Sequence, residues 1–349
     1  MEALVLEEVS CLNCKSTTAQ PQDRIQWRGA TLPFVICGDC GLKYMTPRPQ
    51  PQWLLSFYQR EFWQEKLCNK GYQESANRQR GLEREQGAKL NESYQLSRAL
   101  RIFRIVKPTV KLGPRDRILE VGASFGRTLD FFERKTGCQT YAVEPSEAAR
   151  HYLSRKKVRI IGRYMEELAE EDDLAGKLSL IIVSHVLENV ADPLAGLGYL
   201  RRLLKADGHL FIDTTNLYYR NDINPYHMCI FTPETLTAML ARSGFDIAKQ
   251  HFEDHPSRLD RLGPIDRFLD PYLAVVARPG PMRVWNPTVD IPAIVRDQQL
   301  GEKLFSRGTI IRKRVNNRLP RKLVRKMRSF LGLPQVWDLA REQPLLSLD

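Results

Sequence analysis

The sequence predicts an α/β protein: a mostly parallel sheet with helices on both faces, a small cysteine-bearing module in front of it and a basic helical extension behind. Three observations predict this. Apolar strand-like runs alternate with amphipathic segments from Arg117 to Arg278, the pattern of a parallel sheet wound with helices. Two Cys-x-x-Cys pairs stand within the first 48 residues. Twelve Lys and Arg, against only Asp297 and Glu302, crowd the stretch Arg296–Arg328. With 349 residues and 42% hydrophobic content, the chain can bury an ordinary core.

Residues 1–48 are short, punctuated by Pro and Gly, and too few to build a core unaided. Cys11-x2-Cys14 and Cys37-x2-Cys40 lie 22 residues apart, a spacing that suits four thiolates around a closed, tetrahedral, structural Zn²⁺. Metal binding would then supply the folding energy that so small a module lacks. Cys68, Cys138 and Cys229 are scattered, and seven cysteines in all argue against a disulfide framework.

Residues 49–110 are expected to form a helical linker or cap. In LNESYQLSRALRIFRIV the apolar Tyr94, Leu96, Leu100, Phe103 and Val106 fall near one face, and Pro108 ends the helix. Residues 111–278 form the main domain. Strands are expected at Arg117–Val121, Gln139–Glu144, Arg159–Gly162, Ser179–His185 and His209–Thr215, with helices near 126–135, 146–156 and 192–205. Thr232 caps a further helix that stops at Gly244. FDIAKQHF and PYLAVVAR then follow as an antiparallel edge hairpin, making seven strands. Residues 279–349 are expected to be a basic, mostly helical extension.

The formal charge of +12 resides mainly in that extension, so the body is nearly neutral and a globally basic nucleic-acid binder is disfavoured. The acidic N-terminus does not resemble a secretory signal, and no run of about 18 apolar residues is present to cross a bilayer. The expected address is the cytoplasm.

In ILEVGASFGRTL a strand ends in Glu120 and opens into Gly122-Ala123-Ser124-Phe125-Gly126 at the mouth of a helix. Glycines there let backbone approach a ligand where a side chain would collide. The third glycine of a dinucleotide fingerprint is missing, which disfavours NAD. Glu144 closes the second strand, where a carboxylate can accept two ribose hydroxyls; the competing reading makes it a solvated strand-end residue.

ILEVGASFGRTL, AVEPS and IIVSHVLENVADPLAGLGYLRRLLKADGHLFIDTTN together resemble the strand motifs of class I S-adenosylmethionine-dependent methyltransferases. The resemblance implies a seven-stranded Rossmann-like methyltransferase sheet. It places the methionine part of the cofactor against Glu120, Gly122, Ala123, Ser124 and Gly126, the ribose at Glu144 and Pro145, the adenine near Met165, and the sulfonium near Ser184 and His185. S-adenosylhomocysteine is the implied product. Asn189 stands where a second histidine is common, and Ser179 where the fourth strand usually begins with an acid. The opening VICGDCGLKYMTPRP, followed by LLSFYQREFW, is similar to that of zinc-ribbon methyltransferases from bacterial sugar and polysaccharide pathways, including deoxysugar C-methyltransferases.

For a hydroxyl or carbon acceptor a base with pKa near neutrality is wanted. His227, in NPYHMCIF, matches the histidine of a deoxysugar C-methyltransferase motif, with Tyr226 beside it; the competing reading is a loop histidine bonded to backbone. Asn224 and Tyr226 depart from that motif, which leaves O- and N-methylation open. Glu188 and His185 are alternate bases. Tyr58, Phe62 and Trp63 are read either as an aromatic lid or as core. In the extension, Leu319, Leu323, Met327 and Phe330 form an apolar stripe against a basic face, suited to docking on the domain, to an anionic membrane surface, or to nucleic acid.

The leading expectation is a methyltransferase acting on a small-molecule or glycan substrate, a nucleotide sugar or a glycan terminus. The competing ones are a zinc-ribbon nucleic-acid-binding protein or RNA methyltransferase that uses the basic tail, and, more distantly, a NAD-dependent sugar enzyme.

Overall fold

The computed structural model describes residues 4–61, 96–218, 223–250, 272–283 and 289–300. The ribbon begins with strands β1 (Leu6–Glu7), β2 (Ala19–Trp27), β3 (Ala30–Cys37), β4 (Lys43–Met45) and β5 (Arg48–Pro49). Helix α1 (Pro51–Arg60) starts on a proline, whose fixed φ and absent N–H suit a first helical turn. Helix α2 covers residues 96–106.

The main sheet contains β6 (Arg117–Val121), β7 (Gln139–Val143), β8 (Arg159–Gly162), β9 (Leu178–Ser184), β10 (Leu204–Thr215), β12 (Phe245–Gln250) and β13 (Tyr272–Pro279). Between them run α3 (Arg127–Thr136), α4 (Glu147–Leu153), α5 (Pro193–Leu203) and α6 (Pro233–Arg242). A last helix, α7, spans residues 291–300. The strand order is β12-β13-β10-β9-β6-β7-β8. β8, β7, β6, β9 and β10 are parallel, while β13 runs antiparallel between β10 and β12. The expected edge hairpin is therefore present, with its second strand inserted beside β10.

Strand β9 is buried along its whole length, the signature of a strand covered on both faces. Leu180 and Ile182 pack into a cluster with Ile102, Ile118, Leu129 and Phe132; Ile181 and Val183 pack with Leu119, Val121 and Leu197 on the other face. Helix bounds differ from expectation by one to three residues. The larger shift is at β10, which starts at Leu204 because α5 stops at Leu203 and a bulge between Leu204 and His209 absorbs Ala206-Asp207-Gly208.

One face was expected wrongly. On α2 the buried residues are Ala99, Ile102, Ile105 and Val106, whereas Leu96 is exposed and Leu100 and Phe103 are half-buried. The buried stripe is centred about one residue away, on Ile102 and Ile105, while Leu100 and Phe103 of the expected face flank the same core, Phe103 meeting Phe131 and Phe132 of α3 edge-on.

The ribbon is not a free bead. A second sheet of order β11-β4-β3-β2 takes its last strand, β11 (Cys229–Ile230), from beyond β10. Cys229 pairs with Tyr44 and Ile230 with Lys43, and ribbon residues such as Phe34, Leu42 and Met45 share one continuous core with Leu187, Met228 and Phe231. No helix among the described residues is long and apolar enough to cross a membrane. Phe62, Trp63 and Cys68, and the stripe Leu319, Leu323, Met327 and Phe330 with its readings as docking, membrane or nucleic-acid contact, lie outside the described residues.

Candidate functional site

The glycine loop sits where β6 meets α3. Gly122 adopts φ +73° and Gly126 φ +71°; a Cβ on Gly122 would stand 2.5 Å from Val186 Cγ2. Glycine is therefore required at Gly122 by both backbone and space. The amides of Gly122 and Ala123 donate to the carbonyl of Val143, 2.8 and 3.2 Å away, which ties the loop to the end of β7. Ser124, itself at φ +50°, donates its amide to Glu144 Oε2 at 2.6 Å, and Ser146 donates to Oε1 at 2.9 Å. Burial pushes the Glu144 carboxyl up, against the pull of those two amides and Arg150. Each oxygen keeps a second lone pair for a ligand hydroxyl. The Arg150 guanidinium clasps the carbonyls of Glu144 and Pro145. Met165, in a 3-10 turn at Met165–Glu170, packs its thioether against Gly196 of α5.

Glu120 is fully buried, and burial pushes its carboxyl up to about 7, with Arg98 and the Thr128 hydroxyl pulling the other way. Its Oε2 and the Ser124 hydroxyl are buried without a hydrogen-bond partner among the described residues. An orphaned carboxylate oxygen, an orphaned hydroxyl and a backbone cradle with no room for Cβ suit the methionine end of S-adenosylmethionine.

Around this loop lies a layer of buried charge that sequence reasoning missed. Arg98 and Arg101 reach in from α2: Arg98 Nε donates to Ser184 Oγ at 2.9 Å and Nη2 to the Ser184 carbonyl at 3.2 Å. Arg101 pairs with Asp213 of β10 and lies 5.1 Å from the Tyr272 ring centroid. Burial alone would raise Asp213, but Arg101, His185 and Arg98 hold it below its usual range. The signal was Asp213 itself, a lone acid in the apolar run LFIDTT, which needs a cation if it is buried.

His185 follows β9 at φ +55°, held by the Asn189 side-chain amide on its carbonyl at 3.0 Å. Its Nδ1 lies 3.3 Å from Glu188 Oε1. Although burial opposes it, Glu188 raises the His185 pKa. Glu188 is fully buried, yet His185 and His227 hold its carboxyl below its ordinary value, against burial. Its Oε2 has no partner among the described residues. Asn224 builds the turn before β11: its side-chain oxygen accepts from the amides of Tyr226 and His227 at 2.9 and 3.1 Å. That is the physical role of the residue that departs from the C-methyltransferase motif. Phe57 stacks on Tyr226, Trp27 meets it edge-on, and the Tyr58 hydroxyl donates to its carbonyl at 3.5 Å. Burial, Glu188 and Tyr226 push the Tyr58 phenol well up. His185, Glu188, Tyr58, Tyr226 and His227 thus converge beside the carboxyl end of β9.

The four ribbon cysteines come together as two knuckles. Lys15 (φ +63°) and Gly41 (φ +73°) turn the chain after each pair, and their amides return to the carbonyls of Cys11 and Cys37 at 2.9 and 3.0 Å. All four sulfurs lie within 4.8 Å of one another, with Cys11 to Cys40 at 3.5 Å and Cys14 to Cys37 at 3.4 Å. A tetrahedral ion with Zn–S bonds of about 2.3 Å sets its sulfurs about 3.8 Å apart, so the group fits such an ion.

The raised Glu120 pKa has a sign. The folded protein holds that proton more tightly than the unfolded chain, so its stabilising contribution is present below about 4.5 and lost as pH rises through about 7. Glu120→Gln, which cannot ionise, is expected to match wild type near pH 4.5 and to exceed it at pH 8 by on the order of 3 kcal/mol. Paired thermal melts of the ligand-free proteins from pH 4.5 to 8 check this; a difference that does not grow with pH refutes it.

Residues 94–250 match the model of a family described as a methyltransferase domain. No curated protein matches the chain. Among solved structures, an S-adenosylmethionine-dependent methyltransferase from Mesorhizobium loti is 17% identical, covering 50% of this chain and 95% of its own, with a TM-score of 0.39. The geranyl diphosphate C-methyltransferase of Streptomyces coelicolor, in complex with Mg²⁺, geranyl diphosphate and S-adenosyl-L-homocysteine, is 14% identical over 52% of this chain and 77% of its own, TM-score 0.40. A methyltransferase in complex with the Haloferax volcanii Trm112 activator is 14% identical over 56% and 97%, TM-score 0.41. The family match, with the strand order and the loop, makes this part of the chain a class I S-adenosylmethionine-dependent methyltransferase domain, and the protein that carries it an enzyme.

Proposed function

We propose that the enzyme transfers the methyl group of S-adenosylmethionine to a hydroxyl of a small, carbohydrate-like acceptor, a nucleotide sugar or a glycan terminus, and that its four ribbon cysteines hold a structural zinc ion. The observation that carries the acceptor chemistry is Glu188: a fully buried carboxylate, held charged by His185 and His227, with one oxygen unpartnered among the described residues. Such a group steadies a neighbouring imidazolium and accepts a hydrogen bond from a polar ligand.

The bound cofactor supplies an electrophilic methyl on sulfur. The chain holds it and orients the acceptor in line with it, since methyl transfer depends chiefly on near-attack geometry. Gly122 and Gly126 admit the methionine end, Glu144 accepts the ribose hydroxyls, and Pro145 and Met165 border the adenosine. Glu120 Oε2 would receive the ammonium, and Ser184 and His185 would border the sulfonium. His227 takes the acceptor hydroxyl proton and Glu188 stabilises the resulting imidazolium, while Tyr58 and Tyr226 wall the acceptor side against water. The departure of Asn224 and Tyr226 from the C-methyltransferase motif favours oxygen over carbon as the methylated atom.

Calorimetry with S-adenosylhomocysteine tests the cofactor site. Glu144→Ala is expected to weaken binding about 30-fold, the loss of two hydrogen bonds to a charged acceptor; a wild-type protein that binds neither the product nor the cofactor overturns the reading. Labelled methyl transfer to a panel of nucleotide sugars and oligosaccharides tests the acceptor. There His227→Ala is expected to lower kcat by about 10²- to 10⁴-fold with product affinity unchanged. Labelling of RNA in place of the panel would sink the carbohydrate assignment.

A further inference from the structure

A cleft runs along the outer side of α3, against the turn that follows α4, and encloses about 580 Å³, within the roughly 300–1,000 Å³ of small-molecule sites. It is separate from the site described above. α3 and α4 pack on one face of the sheet through Leu129, Phe132 and Leu153, whereas Leu187 and Met228, beside Glu188, belong to the core on the other. The walls of the cleft are ionic: Arg127, Arg134, Lys156 and Lys157 line it against Asp130 and Glu133. One pair is spent, since Lys156 holds Asp130 and donates to the Phe125 carbonyl at 2.9 Å, the paired side chains being 16% and 20% exposed. The side chains of Arg134 and Lys157 are exposed and make no ion pair among the described residues. Arg127 and Arg134 lie two turns apart on α3, about 10 Å along its axis, so the cations are spread over the length of the cleft.

The cleft also holds an aromatic ring. Tyr152 lines it and is 38% exposed, yet its ring is held from two sides: Phe125 meets it edge-on at 5.6 Å, and Lys156 Nζ stands 4.8 Å from its centroid. We infer that this cleft is a second ligand site and that it takes a nucleoside diphosphate, with the phosphates between Arg134 and Lys157 and the base on Tyr152. Unpaired cations that converge in a cleft concentrate a polyanion, and a fixed, open aromatic ring offers any base a stacking surface. A charged face that served solubility alone would need neither the cleft nor the ring. Because the cleft lies across the sheet from Glu188, its occupant is not the methyl acceptor.

The test titrates the full-length protein with UDP and ADP by calorimetry, with and without saturating S-adenosylhomocysteine. Wild type is expected to bind both diphosphates within about threefold of each other, since stacking tolerates every base, and to bind them as well with S-adenosylhomocysteine present. The double variant Arg134→Gln, Lys157→Gln is expected to weaken them at least about 30-fold, and Tyr152→Ala about tenfold. Glu133→Gln, which removes an opposing charge, should tighten them about threefold. These side chains stand at the surface, so thermal melts should show each variant folded. Absence of binding up to about 1 mM, or displacement of either diphosphate by S-adenosylhomocysteine, overturns the inference. Pyrophosphate bound as tightly as UDP, or Tyr152→Ala without effect, shows a plain anion patch and sinks the nucleotide assignment. A single-stranded RNA oligomer bound more than about 100-fold tighter than UDP gives the cleft to nucleic acid and overturns it too. If S-adenosylhomocysteine itself does not bind, the cofactor reading has failed, and the titrations made without it still decide this one.

Discussion

Replacing Cys37 with serine is expected to empty the ribbon of metal and to unfasten the acceptor loop, although the two are some 190 residues apart in sequence. A structural zinc site contributes on the order of 10–16 kcal/mol of apparent binding energy, comparable to or above the total stability of a typical domain, about 5–15 kcal/mol. The four-stranded sheet is therefore expected to come apart rather than to soften. The path to the site is short: β4 pairs with β11, the Met45 amide donates to the Met228 carbonyl at 3.0 Å, and the Met228 amide donates to the Glu188 carbonyl at 2.7 Å. Metal analysis should fall from about one zinc per chain to near none, hydrogen exchange should lose its protection at Met45 and Met228, and methyl transfer should drop by at least about 100-fold. Binding of S-adenosylhomocysteine should change by less than about threefold, because the glycine loop leans on β7 and α4 rather than on the ribbon. Retention of metal, or loss of metal with exchange at Met228 unchanged, would contradict this account.

Gly122→Ala is expected to do the converse, leaving the ribbon intact and closing the cofactor site. The added Cβ would sit 2.5 Å from Val186 Cγ2. Val186 is β-branched and cannot swing aside as a longer chain would. The residue would also be held at φ +73°, which costs a non-glycine residue about 1–2 kcal/mol. The loop can escape only by moving off Val143, and with it go the amides that frame the ligand. Affinity for S-adenosylhomocysteine should fall by at least about 50-fold and global stability by about 2–3 kcal/mol, with zinc content unchanged. An alanine variant that binds the product as wild type does would show that Val186 yields and that the cradle is not fixed by Gly122.

Much of this was legible in the sequence because its signals are local. The alternation from Arg117 onward gives the parallel strands, Thr232 does cap α6 through a reciprocal bond with Thr235, and the two cysteine pairs converge as their spacing implies. What was not legible depends on tertiary contact. Arg98 and Arg101 carry no sequence signal of their own, because only the packed helix reveals that its arginines point at Ser184 and Asp213. The stripe on α2 was placed one residue off, since Leu96, Leu100 and Phe103 compete with Ile102 and Ile105 on hydrophobicity alone. β11 is two residues long, too short to carry a period, and its partner lies in the ribbon. Asn224 read as a departure from a motif, while its side chain is spent on the amides of Tyr226 and His227.

The pairing of β4 with β11 also sets an order in time. As the chain leaves the ribosome, Tyr44 emerges about 185 residues before Cys229, its strand partner. At roughly 5–20 residues per second that is a wait of about ten to forty seconds. During it β4 is an open edge, the kind of strand that pairs with the wrong neighbour. The cysteine knuckles are complete once Gly41 has emerged, so they can close early and hold β2, β3 and β4 in register until the partner arrives. On this view a zinc ion held by the four cysteines would contribute most during synthesis. Cells short of zinc should then accumulate aggregated newly made chains, while enzyme folded beforehand keeps its activity.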